Sequence, residues 1–428
     1  MTSLWTVSLL AIAALGAAAG PAPEDSRRTP RPAEVARIDE SLLSADADTT
    51  QDFLVVLEEQ PDLSAARGAA TKAEKGRLVH ERLVDTARRS QRELSAWLSA
   101  RGIAHESFWI ANMIRVRGPR SVIDVIARRP EVRRVAGNRK VRRRGRPQTG
   151  ETVPGRQASA ALAPAAVPAN LELVGAPEVW AAGVTGQGIV IGGADTGVEW
   201  DHPALKPRYR GWNGSVASHA YNWHDAVHDA GSGNACGSNS PAPCDDDGHG
   251  TQTIGVAVGD DGGDNRVGMA PGARWIGCRN MDEGFGTPAR YAECFQWFLA
   301  PTDTSGANPR FDLAPDVITN SWDCPTQEGC TTPDVLKSVV QNVRAAGIVV
   351  VVSAGNEGPA CDTIVVPGIY QELLTVGAVD EFDDVTGYTS RGPGQGAVKP
   401  DVAAPGEKVT SSKKGGGYGI ADGTSAAA

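Results

Sequence analysis

Three short segments of this chain carry an acid, a base and a hydroxyl group among small residues. They are Asp195-Thr196-Gly197, Gly248-His249-Gly250-Thr251 and Gly423-Thr424-Ser425. A serine hydroxyl is a weak nucleophile at neutral pH, so a neutral imidazole must take its proton and a carboxylate must hold that imidazole. We therefore expect Ser425 to be the nucleophile, His249 the general base and Asp195 the acid that orients it. The three side chains together predict acyl transfer through serine.

The Asp-Thr-Gly string also occurs in aspartic proteases, which need two such carboxylates sharing a proton. The sequence contains no second Asp-Thr-Gly and no Asp-Ser-Gly. Aspartic protease chemistry is therefore not favoured.

An α/β fold in the second half of the chain would bring the three residues together. Several short, almost continuously apolar runs are typical of parallel strands that are covered by helices on both faces. The predicted strands are residues 189–194, 275–278, 317–319, 348–352 and 373–379, and the predicted crossover helices are residues 288–299 and 333–346. Asp195 follows the first strand, and His249 and Ser425 each begin a predicted helix. All three are expected at the carboxyl edge of one sheet.

The first half of the chain predicts a smaller α+β unit. Residues 53–57 and 108–116 have strand patterns, residues 72–100 have helical spacing, and Pro119 begins a second helix. This β-α-β-α order suits a compact open-faced sandwich.

The ends of these units divide the chain into five segments. An apolar run that closes on small residues predicts an export signal, because it is short for a membrane anchor. A stretch rich in Arg, Pro, Ala and Gly after the small unit predicts an exposed, cleavable linker, or a solvated tether that is never cut. The expected segments are a signal (1–20), a flexible lead-in (21–50), the small domain (51–141), the linker (142–170) and the large domain (171–428). We expect a secreted protein with no membrane attachment after signal removal.

Charge separates the two halves of the chain. Residues 1–150 carry 26 Lys and Arg against 18 Asp and Glu, whereas residues 151–428 carry 16 against 33. Two bodies of opposite charge are expected to attract each other. Nucleic-acid binding by the basic half is not favoured, because no nucleic-acid-binding motif accompanies the charge.

Cysteine, histidine and acidic clusters suggest further sites. All seven cysteines fall between residues 236 and 361, so disulfides are expected after export, with pairing open and one cysteine left over. His224 and His228 lie four residues apart, but no glutamate follows His224 as in a helical zinc motif, so surface positions are favoured. The acidic loops 245–247 and 260–264 leave structural calcium open, although acidic surface is the favoured interpretation.

Five motifs in order resemble the subtilisin-like serine proteases, or subtilases. They are Asp195-Thr196-Gly197, His249-Gly250-Thr251, residues 353–358 (SAGNEG), residues 400–406 (PDVAAPG) and Gly423-Thr424-Ser425. The resemblance covers the chain from about Val174 to its end. It implies a subtilisin-like fold and a serine endopeptidase that needs no cofactor for its chemistry and acts on polypeptides.

The resemblance also implies roles for individual residues. Asn356 matches the family's oxyanion-hole side chain. Two edge segments would bind the substrate as an added strand: Ser321, Trp322 and Asp323, and Gly284, Phe285 and Gly286. Residues 50–140 resemble, more faintly, the inhibitory propeptide of such enzymes, which implies a zymogen whose partner is its own prodomain.

The sequence departs from the family pattern at a few positions. Asp323 stands where glycine is usual, and its carboxylate would either favour basic substrate side chains or point to solvent. Gln252 and Ala426 replace a frequent histidine and methionine. The sequence stops at Ala428, so the helix beginning at Ser425 is expected to be cut short by a missing end.

Two other functions are compatible with these patterns. One is a catalytically silent peptide-binding protein on the same fold, and the other is a free protease inhibitor formed by the basic unit. The presence of the complete acid, base and nucleophile set favours the enzyme.

Overall fold

The computed structural model describes residues 37–143, 152–153, 167–325, 330, 334–394 and 397–428. The predicted export signal, most of the lead-in and most of the basic linker lie outside the described residues. The described part forms a small N-terminal domain and a large domain that pack against each other.

The small domain is a four-stranded antiparallel sheet with strand order β2-β3-β1-β4. Its elements are α1 (Glu40–Leu43), β1 (Gln51–Leu57), α2 (Lys72–Ser90), α3 (Arg92–Ser99), β2 (His105–Phe108), β3 (Met113–Gly118), α4 (Arg120–Ala127), β4 (Val132–Gly137) and β5 (Val141–Arg142). Alternate residues of β1 face opposite ways, because a strand has a side-chain period of two. Phe53 and Val55 pack with α3 and α4 in the domain's own core. Leu54 packs into the core shared with the large domain.

Two predictions for the small domain are wrong in detail. Residues 108–116 do not form one strand, because β2 ends at Phe108 and a turn leads to β3 at Met113. The predicted helix 72–100 is two helices that meet at Gln91. From β1 to β4 the order is therefore β-α-α-β-β-α-β instead of β-α-β-α.

The turn between β2 and β3 is apolar because it packs against the large domain. The backbone N–H groups of Trp109 and Ile110 both donate to Gln296 Oε1, at 2.9 and 3.2 Å. The Gln91 side chain, at the break between α2 and α3, donates to Phe108 O and Met113 O. Interdomain burial therefore produced the alternating pattern that resembled a single strand.

The large domain is built on a seven-stranded parallel sheet with strand order β15-β14-β13-β12-β7-β9-β8. The further strands are β6 (Thr152–Val153), β7 (Val190–Asp195), β8 (Trp223–Asp225), β9 (Arg274–Arg279), β10 (Met281–Asp282), β11 (Phe285–Gly286), β12 (Val317–Asn320), β13 (Val349–Ser353), β14 (Leu374–Val379), β15 (Val402–Pro405), β16 (Val409–Lys413) and β17 (Gly417–Ala421). All five predicted strands are present within two residues of their expected ends. The predicted parallel α/β class is confirmed.

Helices cover both faces of this sheet. They are α5 (Ala169–Leu173), α6 (Ala176–Ala181), α7 (His249–Val258), α8 (Pro288–Leu299), α9 (Lys337–Ala345) and α10 (Thr424–Ala427). The helices α8 and α9 share one core with β12, β13 and the small domain. The helix α7 packs on the opposite face, where Ile254 and Val258 contact Trp275. Among the described segments, no helix combines the length and apolarity needed to cross a bilayer.

Six of the seven cysteines form disulfides. The pairs are Cys236–Cys244, Cys278–Cys294 and Cys324–Cys330, and Cys361 is exposed with a free thiol. The expected disulfides and the one cysteine left over are both present. The Cys278–Cys294 bond ties β9 to α8.

Candidate active site

Asp195 and His249 form a buried pair at the carboxyl edge of the large sheet. Asp195 is the last residue of β7 and His249 is the first residue of α7. His249 Nδ1 lies 2.7 Å from Asp195 Oδ1, and both side chains are at most 5% exposed. A carboxylate at Nδ1 fixes the tautomer in which Nε2 is the basic nitrogen. The two residues therefore have the arrangement of a general base and its orienting acid.

Glycines allow the two loops that carry this pair to approach closely. A Cβ on Gly250 would lie 2.0 Å from Gly197 O, and a Cβ on Gly197 would lie 1.7 Å from Cys244 O. Gly197 also has φ +109°, a conformation that side chains rarely adopt. The small residues around the acid and the base are therefore required by backbone contact.

Asp245 organises the same loops, although sequence reasoning did not assign it a role. Its buried carboxylate accepts hydrogen bonds from Thr196 Oγ1, from the backbone N–H groups of Asp247 and Gly248, and from Thr251 N and Oγ1, at 2.6–3.1 Å. Burial raises the pKa of Asp245, while the hydrogen bonds from Thr251, Gly248 and Thr196 act in the opposite direction. The only sequence signal was its place in the acidic run before His249.

Ser425 lies in α10, which packs against α7 and against the ends of β13, β14 and β15. Its Oγ is 3.5 Å from Ser321 O, and Ser321 Oγ is 3.4 Å from Ser425 O. The candidate nucleophile thus adjoins one of the two predicted substrate-binding segments. The element carrying it neighbours the helix that begins with His249.

Asn356 follows β13 and is fixed by the residue before Ser425. Asn356 Oδ1 accepts hydrogen bonds from Thr424 N at 2.9 Å and from Thr424 Oγ1 at 3.1 Å. Thr424 Oγ1 in turn accepts from Gly355 N at 3.2 Å. Because Thr424 holds the carbonyl oxygen, the amide has a fixed orientation next to Ser425.

The segment Gly284–Phe285–Gly286 is already paired with another strand of the chain. Phe285 and Gly286 of β11 pair antiparallel with Arg142 and Val141 of β5. Arg143 N donates to Gly284 O at 2.8 Å. The C-terminal end of the small domain thus adds a strand to this edge, and β5 straddles the predicted boundary between residues 141 and 142.

The segment Ser321–Trp322–Asp323 follows β12, and all three residues are buried. The Trp322 ring is buried, stacks on Tyr291 with 3.7 Å between ring centroids, and its Nε1 donates to Ala194 O at 3.1 Å. Asp323 is 7% exposed. Its carboxylate is therefore buried, and the solvent-facing alternative for Asp323 is wrong.

Comparison with known proteins agrees with this geometry. The model of the subtilase family matches residues 186–428, which is more than half of the chain. This chain belongs to the subtilase family. The family and the subtilisin-like fold predicted from the five motifs are thereby confirmed.

Individual subtilases match different shares of the chain. Bacillopeptidase F of Bacillus subtilis (strain 168) is 35% identical over 383 residues, which are 85% of this chain and 25% of that protein. Serine protease AprX of the same strain is 30% identical over 250 residues, 55% of this chain and 50% of that protein. Subtilisin E is 29% identical over 264 residues, 61% of this chain and 58% of that protein. The chain thus spans between a quarter and about three fifths of these relatives.

The acidic loops of this subtilase are held by protein donors. Asp246 contacts Arg279 Nη1 at 3.3 Å and Asn234 Nδ2 at 2.7 Å. Asp260 pairs with Arg208 at 2.9 Å, and Asp261 accepts from Asn265 Nδ2 at 2.6 Å. Calcium binding is common among subtilases, but these carboxylates have N–H partners of the kind that a cation would have to displace. The residues of the two predicted loops therefore do not fit a calcium site.

Proposed function

We propose that this chain is a secreted serine endopeptidase zymogen that uses Asp195, His249 and Ser425 as its catalytic residues. The observation that carries the proposal is the buried Asp195–His249 pair with 2.7 Å between Oδ1 and Nδ1. The contact of α10 with α7 and the adjacency of Ser425 to Ser321 support the assignment of the nucleophile. Its substrates are polypeptides.

The proposed chemistry assigns one step to each of these side chains. Ser425 Oγ attacks the scissile carbonyl carbon while His249 Nε2 takes the hydroxyl proton, and Asp195 stabilises the imidazolium that forms. The tetrahedral intermediate collapses to an acyl-enzyme when His249 returns the proton to the leaving amine. A water molecule, deprotonated by His249, then hydrolyses the ester and regenerates Ser425.

Asn356 and the backbone N–H of Ser425 would donate to the oxyanion. The hydrogen bonds from Thr424 to Asn356 Oδ1 support this role, because they fix the orientation of the side-chain amide next to Ser425. Donors held in place before the reaction stabilise developing charge without reorganising. We infer that Thr424 positions Asn356.

The small domain is proposed to inhibit the enzyme through β5. An extended substrate binds a sheet edge by adding a strand, and the pairing of Val141 and Arg142 with β11 supports a substrate-like placement. Arg143 also forms an ion pair with Asp247 at 3.1 Å, two residues before His249. A strand held there would block access until the linker is cut.

Export of the chain is supported by two features. The apolar N-terminal run predicts a signal peptide. The three disulfides of the large domain are typical of an oxidising compartment. We propose that the mature enzyme is extracellular.

A serine-directed fluorophosphonate probe tests the proposed chemistry. The mature enzyme, from which the small domain has been removed, should react with the probe at Ser425 and should cleave casein. The Ser425→Ala variant should do neither. The Ser321→Ala variant, which changes the neighbouring hydroxyl, should still label. A folded wild-type protein that binds peptides but neither labels nor cleaves would establish the catalytically silent alternative.

A further inference from the structure

Four side chains lie close together where the small domain packs against the large domain. Glu106 lies on β2, His224 on β8, His228 follows β8, and Glu293 lies on α8. One side-chain ligand atom from each of Glu106, His228 and Glu293 lies within 4.8 Å of the other two. His224 Nε2 is 2.7 Å from Glu293 Oε1. We call these four residues the interface cluster.

The geometry of His228 favours a positive charge between its ring and Glu293. His228 Nδ1 lies 2.5 Å from Asn239 Oδ1, which only accepts, so Nδ1 must carry a hydrogen. In the neutral ring Nε2 then has a lone pair, yet it faces Glu293 Oε1 and Oε2 at 2.9 and 3.0 Å. A lone pair directed at a carboxylate is repulsive unless a proton or a metal ion lies between them.

The elements that carry the cluster are held rigidly. Glu293 is next to Cys294, whose disulfide ties α8 to β9. Asn239 lies in the loop closed by Cys236–Cys244. The His224 ring stacks on Trp297 with 5.7 Å between centroids. Ligands on rigid elements lose little entropy when they bind an ion.

We propose that His228, Glu293 and Glu106 form a site for a divalent transition metal of the Zn²⁺ type that bridges the two domains, with His224 holding Glu293 in place. One imidazole nitrogen and two carboxylates, with a water molecule as the fourth ligand, are a donor set that Zn²⁺ accepts in tetrahedral geometry. The side chains are between 12% and 42% exposed, so an ion can reach them from solvent. Asn239 serves as the partner that orients a ligating histidine.

Arg115 limits how strongly Glu106 can bind an ion. Arg115 lies 3.7 Å from Glu106 Oε2 and competes for that carboxylate. Glu106 is therefore the weakest of the three ligands, and His224 acts through its contact with Glu293.

The bridging ligand couples metal binding to domain docking. Glu106 is near the other three residues only while the small domain is docked, so the ion binds the docked state more tightly. By linkage, the ion must then favour docking to the same extent. The metal site itself does not depend on the proposed proteolytic function.

Titration with Zn²⁺ and Co²⁺ tests the site in the full chain carrying Ser425→Ala and Cys361→Ser and no affinity tag. Ser425→Ala keeps the chain uncut, and Cys361→Ser removes the free thiol. One equivalent of Zn²⁺ should bind in calorimetry, and Co²⁺ should give the visible absorption of a four-coordinate site. His224→Gln and His228→Gln should each weaken Zn²⁺ binding at least about tenfold.

His105→Gln is the matched control, because His105 precedes Glu106 on the same strand and contacts Ile103 O instead. Thermal unfolding in EDTA verifies that each variant is folded. Absence of one-equivalent binding, equal loss in His105→Gln, or full affinity in folded His224→Gln and His228→Gln would each overturn the site.

The bridge is tested with Glu106→Gln. Zn²⁺ should raise the unfolding temperature of the small domain in the parent chain by more than it does in Glu106→Gln, and affinity should fall several-fold in that variant. Equal stabilisation and equal affinity in the two chains would overturn the bridging role of Glu106.

Discussion

Asp245 holds together the two loops that carry Asp195 and His249. It takes hydrogen bonds from Thr196, which follows the acid, and from Gly248 and Thr251, which flank the base. The 2.7 Å contact between Asp195 and His249 depends on this support, because a small displacement of either residue would break the hydrogen bond. Asp245 is thus a positioning residue for the candidate base.

Asp245→Asn should impair both stability and turnover. One of the two carboxylate oxygens would become an NH₂ group, which cannot accept a hydrogen bond. At least one buried N–H or O–H donor would then lack an acceptor. We expect a loss of about 1–3 kcal/mol in the free energy of unfolding. Turnover should fall more than KM rises, since the change displaces the base and not the substrate.

Denaturant unfolding of the Ser425→Ala chain and peptide hydrolysis by the mature enzyme measure these two effects. Asp264→Asn, at an exposed acidic position of another loop, is the control and should change neither. Wild-type turnover in Asp245→Asn would show that the loops hold their positions without this carboxylate.

At the level of elements, the strand β5 joins the small domain to the candidate substrate cleft. Val141 is completely buried in the core shared by the two domains, while Arg142 lies over the Phe285 ring at 5.8 Å. The backbone pairing supplies only part of the affinity, and the buried side chain supplies the rest. Position 141 therefore requires an apolar side chain that fills the space occupied by valine.

Val141→Ala should weaken docking of the small domain. Removing the two methyl groups from a fully buried position should cost about 2 kcal/mol, or about thirtyfold in the dissociation constant. The measurement uses a two-chain complex, made from Ser425→Ala by cutting a protease site introduced within residues 154–166. Val122→Ala, in the small domain's separate core, is the matched control. Equal effects of the two changes would indicate general loosening of the small domain.

His80 makes docking by α2 sensitive to acid. Its ring packs 4.8 Å from Trp109 and 5.1 Å from Phe311 of the large domain. Burial has the largest effect on the pKa of His80 and lowers it. Of two smaller charge effects, Glu81 raises this pKa and Arg88 lowers it further. The docked state therefore binds a proton less tightly than the separated domain does. Docking is complete above the ordinary pKa of 6.5 and weakens as the pH falls below it.

His80→Phe should remove this part of the pH dependence while keeping the ring contacts. In the two-chain complex, the dissociation constant of the wild type should rise between about pH 7 and pH 5, by at most about tenfold per pH unit. The variant should show a smaller rise. Parallel pH curves for the two proteins would mean that other interface groups carry the whole effect.

The elements also show which parts of the fold can be predicted from sequence patterns and which cannot. The strands of the parallel sheet were predicted because residues buried on both faces give continuous apolar runs, and Asp195 was placed correctly at the end of one of them. The β2–β3 turn was missed because Trp109 and Ile110 are apolar for a reason that lies in the other domain. The role of Asp245 was missed because its hydrogen bond from Thr196, which lies 49 residues earlier in the chain, leaves no local signature.

At the level of the whole molecule, opposite charges meet across the domain interface. Among the described residues, four ion pairs place the cation on the N-terminal side and the carboxylate on the large domain: Lys72–Asp316, Arg117–Asp229, Lys140–Asp282 and Arg143–Asp247. They match the basic first half and the acidic second half of the sequence. Exposed pairs add little affinity individually, but a complementary field speeds encounter.

Salt should therefore slow association of the separated domains more than it speeds their dissociation. Raising NaCl from about 0.05 to about 0.5 M shortens the Debye length well below the size of either domain. We expect the association rate constant to fall about tenfold, with a small change in the dissociation rate constant. Both can be followed by biolayer interferometry with the large domain immobilised as Ser425→Ala.

A variant separates this field effect from other consequences of salt. Replacing Lys72 and Arg117 by Gln should lower the association rate at low salt and flatten its salt dependence, because two of the interfacial cations are gone. The exposed pair Arg77–Glu81 lies within α2 and does not cross the interface, so Arg77→Gln should change the rate by less than the pair of interfacial replacements does. An association rate that is unaffected by salt in the wild type would show that the two domains find each other through apolar contact alone.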